Sequence, residues 1–427
     1  MKRKTLALLL SCAMFSTAGI AAPIQLASVK NLSADSEING FQSSLFYSDT
    51  GTVNGFDLPI LGYTEMDQVN GLQLGALAGS HVRNGVNGAA IGLFNWHGGE
   101  DNGLNMSLAN QVGNMNGASI GIYSAADQMN GLNIGGVTAE GSLNGTGDIN
   151  GMNVGILGNY NKGRMYGLNI NGLGNYTEGT MKGLNVAGIG NEIDGSVRGM
   201  NVAGIGNYIG GDMKGLNISP FSWVDKDITG ANVAIASHSR NVKGFNFGGV
   251  ANWSEGDIKG MNAAIVNVSG NMTGLNIAAF NKSKDTVGAN ITAFNWSENT
   301  TGFNMGVFNR TNDMTGFNLG GFNVANNVTG MNLGAVNFNG GNVNGLNLGA
   351  ININSGNVTG SNIGAINVTS GSSSTDFGAF NYADTTNFQF GLINATKHLE
   401  GLQIGVINVA MNATVPVLPL VNFHRSF

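Results

Sequence analysis

Few residues in this chain are of a type and spacing that could do chemistry. Five histidines, His81, His97, His238, His398 and His424, are the natural candidates for metal ligands or general bases, yet they fall in separate stretches without ligand spacing. No Gly-x-Ser-x-Gly elbow, His-Glu-x-x-His pair or phosphate loop occurs. Asp148, Asp212 and Asp257 stand near glycines but do not recur as a calcium-binding nonapeptide repeat would require, so they are expected as solvated turn residues. Trp96, Trp253 and Trp296 each follow an Asn and offer faces on which a sugar ring could stack. The bias of aromatic side chains to burial favours packing at a corner instead. The sequence thus assigns no catalytic, cofactor-binding or metal-binding residue and implies no cofactor, and the expectation is a protein that is not an enzyme.

The elements that would position any such residue are set by an internal repeat. A unit Gly-apolar-Asn-apolar-Gly opens at Gly40 and recurs at Gly55, Gly71, Gly88 and onward to Gly360. It continues at Ser374 and Asn387, where the opening Gly is lost, and closes at Gly401, giving about 25 units of about 15 residues. Such a unit is too short for two helices, and its glycines would each cost a helix about 1 kcal/mol. In VTGMNLGAVN (328–337) the apolar alternation changes phase at Gly330 and Gly334, which predicts sharp corners there. The fold class expected is all-β: a parallel β-solenoid of 14–16-residue coils with terminal caps, each coil pairing its backbone with the coils above and below. The division expected is a signal peptide at 1–21, an N-terminal cap at 22–39, the solenoid at 40–408 and a C-terminal cap at 409–427, where Pro416 and Pro419 interrupt pairing. EGSLNGTGD (140–148), in the longest unit, is expected as a surface loop.

Stacking explains the asparagines. Asn304, Asn318 and Asn332 share one position and Asn295, Asn309, Asn323 and Asn337 another, so each set is expected to form an amide ladder along the axis. Val, then Met or Leu, then Val or Phe are expected to point to the common interior, with Phe280, Phe294, Phe308 and Phe322 as an aromatic ladder in the core. Thr273, Thr301, Thr315 and Thr329 precede the opening Gly, but Val287 breaks that row and no ice-binding face is inferred from it.

The N-terminus, MKRKTLALLLSCAMFSTAGIAAP, has a basic start, an apolar run and small residues ending at Ala21 and Ala22, as a secretory signal peptide does. Cleavage after Ala21 is favoured; lipoprotein processing at Cys12 is the alternative. Cys12 is the only cysteine, so no disulfide can hold the exported chain. A net charge of -6 with charged residues at 10% argues against nucleic acid and supplies no polybasic membrane patch.

GLQIGVIN (401–408), the GLNIG-like units before it and the ending PVLPLVNF (416–423) resemble the bacterial surface repeat-containing proteins. A weaker likeness is to curlin repeats, through Asn304, Gly306 and Asn309. The first resemblance implies a location at the bacterial cell envelope. The expectation is an exported protein of the cell surface or outer membrane, with cell-surface polysaccharide or self-association as partners and no transmembrane helix. An outer-membrane β-barrel, signalled by the terminal Phe427, and an amyloid-like extracellular fibre subunit are the alternatives.

Overall fold

The computed structural model describes residues 22–27, 37–75, 77–140 and 147–424. The signal peptide, residues 28–36 of the N-terminal cap, most of the 140–148 loop and Phe427 lie outside the described residues. The chain is a parallel β-solenoid of about 22 turns. It divides into two compact units, one ending at Val224 and the other beginning at Asp225. No helix among the described residues is long and apolar enough to cross a membrane.

In each unit the opening residues of successive coils lie side by side in parallel. Gly40 pairs with Gly55 and Gly55 with Gly71; in the second unit Gly302, Gly316, Gly330 and Gly345 pair in turn. This is the solenoid arrangement, and it lacks the up-and-down hairpin pairing that a barrel requires. One antiparallel pairing closes the second unit, where Val417–Phe423 lies against Leu402–Val409. Pro416 there accepts a backbone hydrogen bond from Ala410 at 2.8 Å.

The opening glycine is required at each coil from Gly40 to Gly360. Gly316 illustrates why: its φ is +123°, and a Cβ would lie 2.2 Å from the carbonyl oxygen of Gly302. Gly334 is different, because it has no positive φ and is not a left-handed corner. A Cβ there would sit 2.7 Å from both Asn323 Nδ2 and Asn337 Oδ1, so Gly334 makes room for amides. Beyond Gly360 the geometry changes. Val358 pairs with Ser373 but Ser361 with Thr375, so the next coil is one residue shorter at this point and Ser374 can replace the glycine.

The interior reverses one expectation. Two residues before most opening glycines, an apolar side chain does point inward, as Met314, Val328, Val343 and Val358 do at 1% exposure each; Asp101, Thr286 and Thr300 are the buried polar exceptions. The Met, Leu, Ile and Phe flanking the Asn point outward, and the Asn points in: Asn304, Asn318, Asn332 and Asn347 are fully buried. The expected aromatic ladder in the core is therefore outside it. Phe280, Phe294 and Phe322 are exposed and Phe308 is half-buried. A coil of about 15 residues encloses a channel too narrow for two rows of large side chains in addition to the Val/Met row. Asn fits, and its amide finds partners in the coils above and below.

Both amide ladders form. Asn318 donates to Asn332 at 3.0 Å and Asn332 to Asn347 at 3.2 Å; in the second row Asn309, Asn323, Asn337 and Asn352 each donate to the next at 2.8 to 3.0 Å. The rows are interrupted around Asn304, whose Nδ2 is buried without a partner among the described residues and whose Oδ1 takes the Nδ2 proton of Asn295 at 2.7 Å. A further ladder, not foreseen from the sequence, runs on the outside of the first unit. There Asn54, Asn70, Asn87, Asn102 and Asn116, each just before an opening glycine, are linked at 2.7 to 3.0 Å.

Candidate functional site

The tryptophans occupy one outward position, just past the second buried amide of the coil. In the first unit His81, Trp96 and Gln111 pair across successive coils, as do Tyr160, Tyr176, Glu192, Tyr208 and Trp223. In the second unit His238 pairs with Trp253 and Trp253 with Val268; the same column carries Trp296, then Arg310, Val324 and Phe338. Trp96, Trp223, Trp253 and Trp296 are 56, 51, 57 and 46% exposed, so the expected packing at a corner is not what the structure has. The strand alternation is the cause: Asn95, Asn252 and Asn295 turn in to the ladder, which turns the following Trp out. Trp223 escaped the sequence pattern because Ser222 stands where the others have Asn, though Ser222 is buried in the same slot.

Around Trp296 the column becomes a groove of about 380 Å³. Arg310 lies over the Trp296 ring at 4.3 Å, an arrangement worth about 0.5–1 kcal/mol at an exposed site. Val324, half-buried, leaves a gap between this pair and the exposed ring of Phe338. Glu298, Asn312 and Asn326 bring a carboxylate and two amides to the groove. Aromatic faces beside donors and acceptors suit a polar ligand with an apolar face, as a pyranose ring is. In the first unit Tyr160 and Tyr176 stack at 5.4 Å and 11°, with their hydroxyls donating to Glu178 and Asp194 at 2.6 and 2.9 Å.

The histidines are not equivalent. His81 meets the Trp96 ring edge-on at 6.4 Å, and His238 Nε2 lies 3.3 Å from Glu255. His398 is exposed and His424 half-buried. His97 belongs to a constellation that sequence spacing did not bring out. Its Nδ1 lies 2.5 Å from Asp101 Oδ2, and its Nε2 lies 3.2 Å from Ser80 Oγ. Asp101 Oδ1 also accepts the Val86 N–H at 2.8 Å, and Asn105 donates to Oδ2 at 3.2 Å. The imidazole thus lies between a carboxylate and a serine, the order of a Ser-His-Asp hydrolase, while the Ser80 hydroxyl also donates to Asn95 Oδ1 at 3.3 Å. However, Ser80, His97 and Asp101 are 3, 1 and 2% exposed, so a substrate would have to displace the core to reach Ser80. The trio is a core network. Its available signal was Asp101 itself, an acid in a slot that is apolar in most coils.

The turn aspartates are held more closely than expected. Asp148 is bound by Arg164, with Nη2 to Oδ2 at 2.6 Å, and Asp257 accepts from Asn271 at 2.9 Å. The Asp212 backbone N–H donates to Ser196 Oγ at 3.0 Å. Among the described residues no three of His, Cys, Asp or Glu gather as metal ligands. Compared with known proteins, the chain matches no family model, no curated protein and no solved structure.

Proposed function

We propose that the chain is an exported, cell-surface-associated structural or adhesive repeat protein of a bacterium, without catalytic activity, that grips polysaccharide along the aromatic column of each unit. The observation that carries this reading is that all four tryptophans take one outward position of the coil and all are exposed. Burial usually claims such rings. A β-solenoid presents a linear row of like positions at regular spacing, which suits a linear polymer better than a single small substrate. The leader-like N-terminus and the resemblance to surface repeat proteins support the placement.

The test has two parts. A tagged chain expressed from its own leader should be recovered with the envelope or surface fraction; recovery in the cytoplasm overturns the placement. Retention on immobilised bacterial polysaccharide should fall at least tenfold in the Trp253→Ala, Trp296→Ala double variant. Equal retention of variant and wild type, or retention of neither on any polysaccharide tried, overturns the adhesive role.

A further inference from the structure

We infer that the apolar face of the second unit, formed by the residues on either side of the first amide ladder, is a contact surface for a second copy of this chain. Its two rows are represented by Phe317, Met331 and Leu346 beside Leu319, Leu333 and Leu348. These pair residue for residue across the coils, and none is fully buried. Neighbours within a row already touch, as Phe303 and Phe317 do with stacked rings 5.3 Å apart. Their outer surfaces remain open. A contiguous apolar surface larger than a few hundred Å² marks a place of association.

Three features select a second copy. The first is area: about twelve coils from Gly244 to Gly401, at ~4.8 Å per coil and ~16 Å across a five-residue strand, give a face of roughly 900 Å², apolar in both rows but for Ser361 and Thr375 in the first. A standard interface needs about 800 Å² from each partner. The second is charge. The chain carries a net charge of -6, yet no Asp, Glu, Lys, Arg or His occurs from Met314 to Thr375, so two such faces meet without repulsion where the rows are most regular. The third is pitch. Rows repeating once per coil in one copy interdigitate with rows of the same repeat in another, as facing sheets do at about 10 Å. A lipid surface has no such repeat and would gain nothing from it.

Sedimentation velocity of the full chain over a concentration series reads the association directly. The wild type should reach twice the monomer mass. Met331→Lys with Leu348→Lys places two charges at the centre of the face on outward side chains. That variant should sediment as monomer, its dissociation constant raised roughly a hundredfold, with an unchanged circular dichroism spectrum. If it fails to fold, Thr315→Arg with Thr329→Arg charges the exposed rim beside the same rows and should also weaken the dimer. The Trp253→Ala, Trp296→Ala variant should dimerise as wild type does, which separates this contact from polysaccharide binding. A wild type that stays monomeric, that is monomeric and floats with phosphatidylcholine vesicles, or whose association ignores both charged variants and grows into thioflavin-positive fibres overturns the inference.

Discussion

Asn323 and Asn337 are joined by a 2.9 Å hydrogen bond in the core of the second unit, and the other amide proton of Asn323 goes to the Leu333 carbonyl at 2.8 Å. One side chain thus ties the ladder to the backbone of the next coil. An amide that uses both protons within the core is expensive to lose, because its partners cannot turn to water.

Asn323→Ala should therefore destabilise the chain by about 2–4 kcal/mol, at about 1–3 kcal/mol for each orphaned acceptor. Urea unfolding followed by circular dichroism measures this. A loss within 0.5 kcal/mol of zero, roughly the range of surface substitutions, would mean that the ladder does not hold the coils together.

The two kinds of glycine should separate experimentally. Gly316→Ala forces a side chain to φ +123° with its Cβ 2.2 Å from a carbonyl oxygen, and should cost about 3 kcal/mol or more. Gly334→Ala meets two amide ends at 2.7 Å, which can shift only by loosening the ladder, so an intermediate loss is expected. Gly340→Ala, whose nearest neighbour lies at 3.3 Å, should be close to neutral. Thermal midpoints in that order check the assignment.

Asp57 stands in the first unit's inner row where most coils have an amide. It receives the Gln73 Nε2 proton at 2.9 Å, while burial raises its pKa to about 7. A carboxyl with a raised folded pKa holds its proton better when folded, so stability falls as pH rises from about 3.8 to about 7 and is level beyond. Asp57→Asn should remove this dependence. The variant should match the wild type near pH 4 and exceed it at pH 8 by up to roughly 4 kcal/mol. Asp376 is raised by burial in the same sense, opposed by hydrogen bonds from Ser373, Asn362 and Gln389. A wild type and variant with parallel stability curves between pH 4 and 8 would refute the assignment to Asp57.

The buried Ser80, His97 and Asp101 should stay silent toward a fluorophosphonate serine probe in the native chain. Asp101→Val should destabilise by about 3 kcal/mol or more, since it strands His97 and the Val86 N–H. A second change, His97→Thr, should recover part of that loss. Stoichiometric labelling of Ser80 in the folded chain would show access that its burial forbids.

The exposed position of the tryptophans was half legible. The Asn before Trp96, Trp253 and Trp296 marks the inward slot, and strand alternation then sends the ring out. General burial bias argued the other way, and it lost because the coil interior has no room. The His97 network was not legible from spacing, because Ser80 and His97 belong to successive coils and meet only through the register that pairs Ser80 with Asn95 and Val82 with His97.

By itself the sequence determined the period, the parallel stacking of all-β coils, the glycine at each opening and the two rows of amides. Each of these follows from one unit repeated with one geometry. Only the tertiary structure decided which side of the strand faces inward. A two-residue alternation of Asn with Leu or Phe fits either phase, and a slip of one residue exchanges the faces. The choice falls to the narrow interior: beside the buried Val, Ile and Met row an amide bonds to its copies above and below, while the Leu, Met and Phe flanking it turn out. The same choice gives the chain its aromatic column and its broad apolar face.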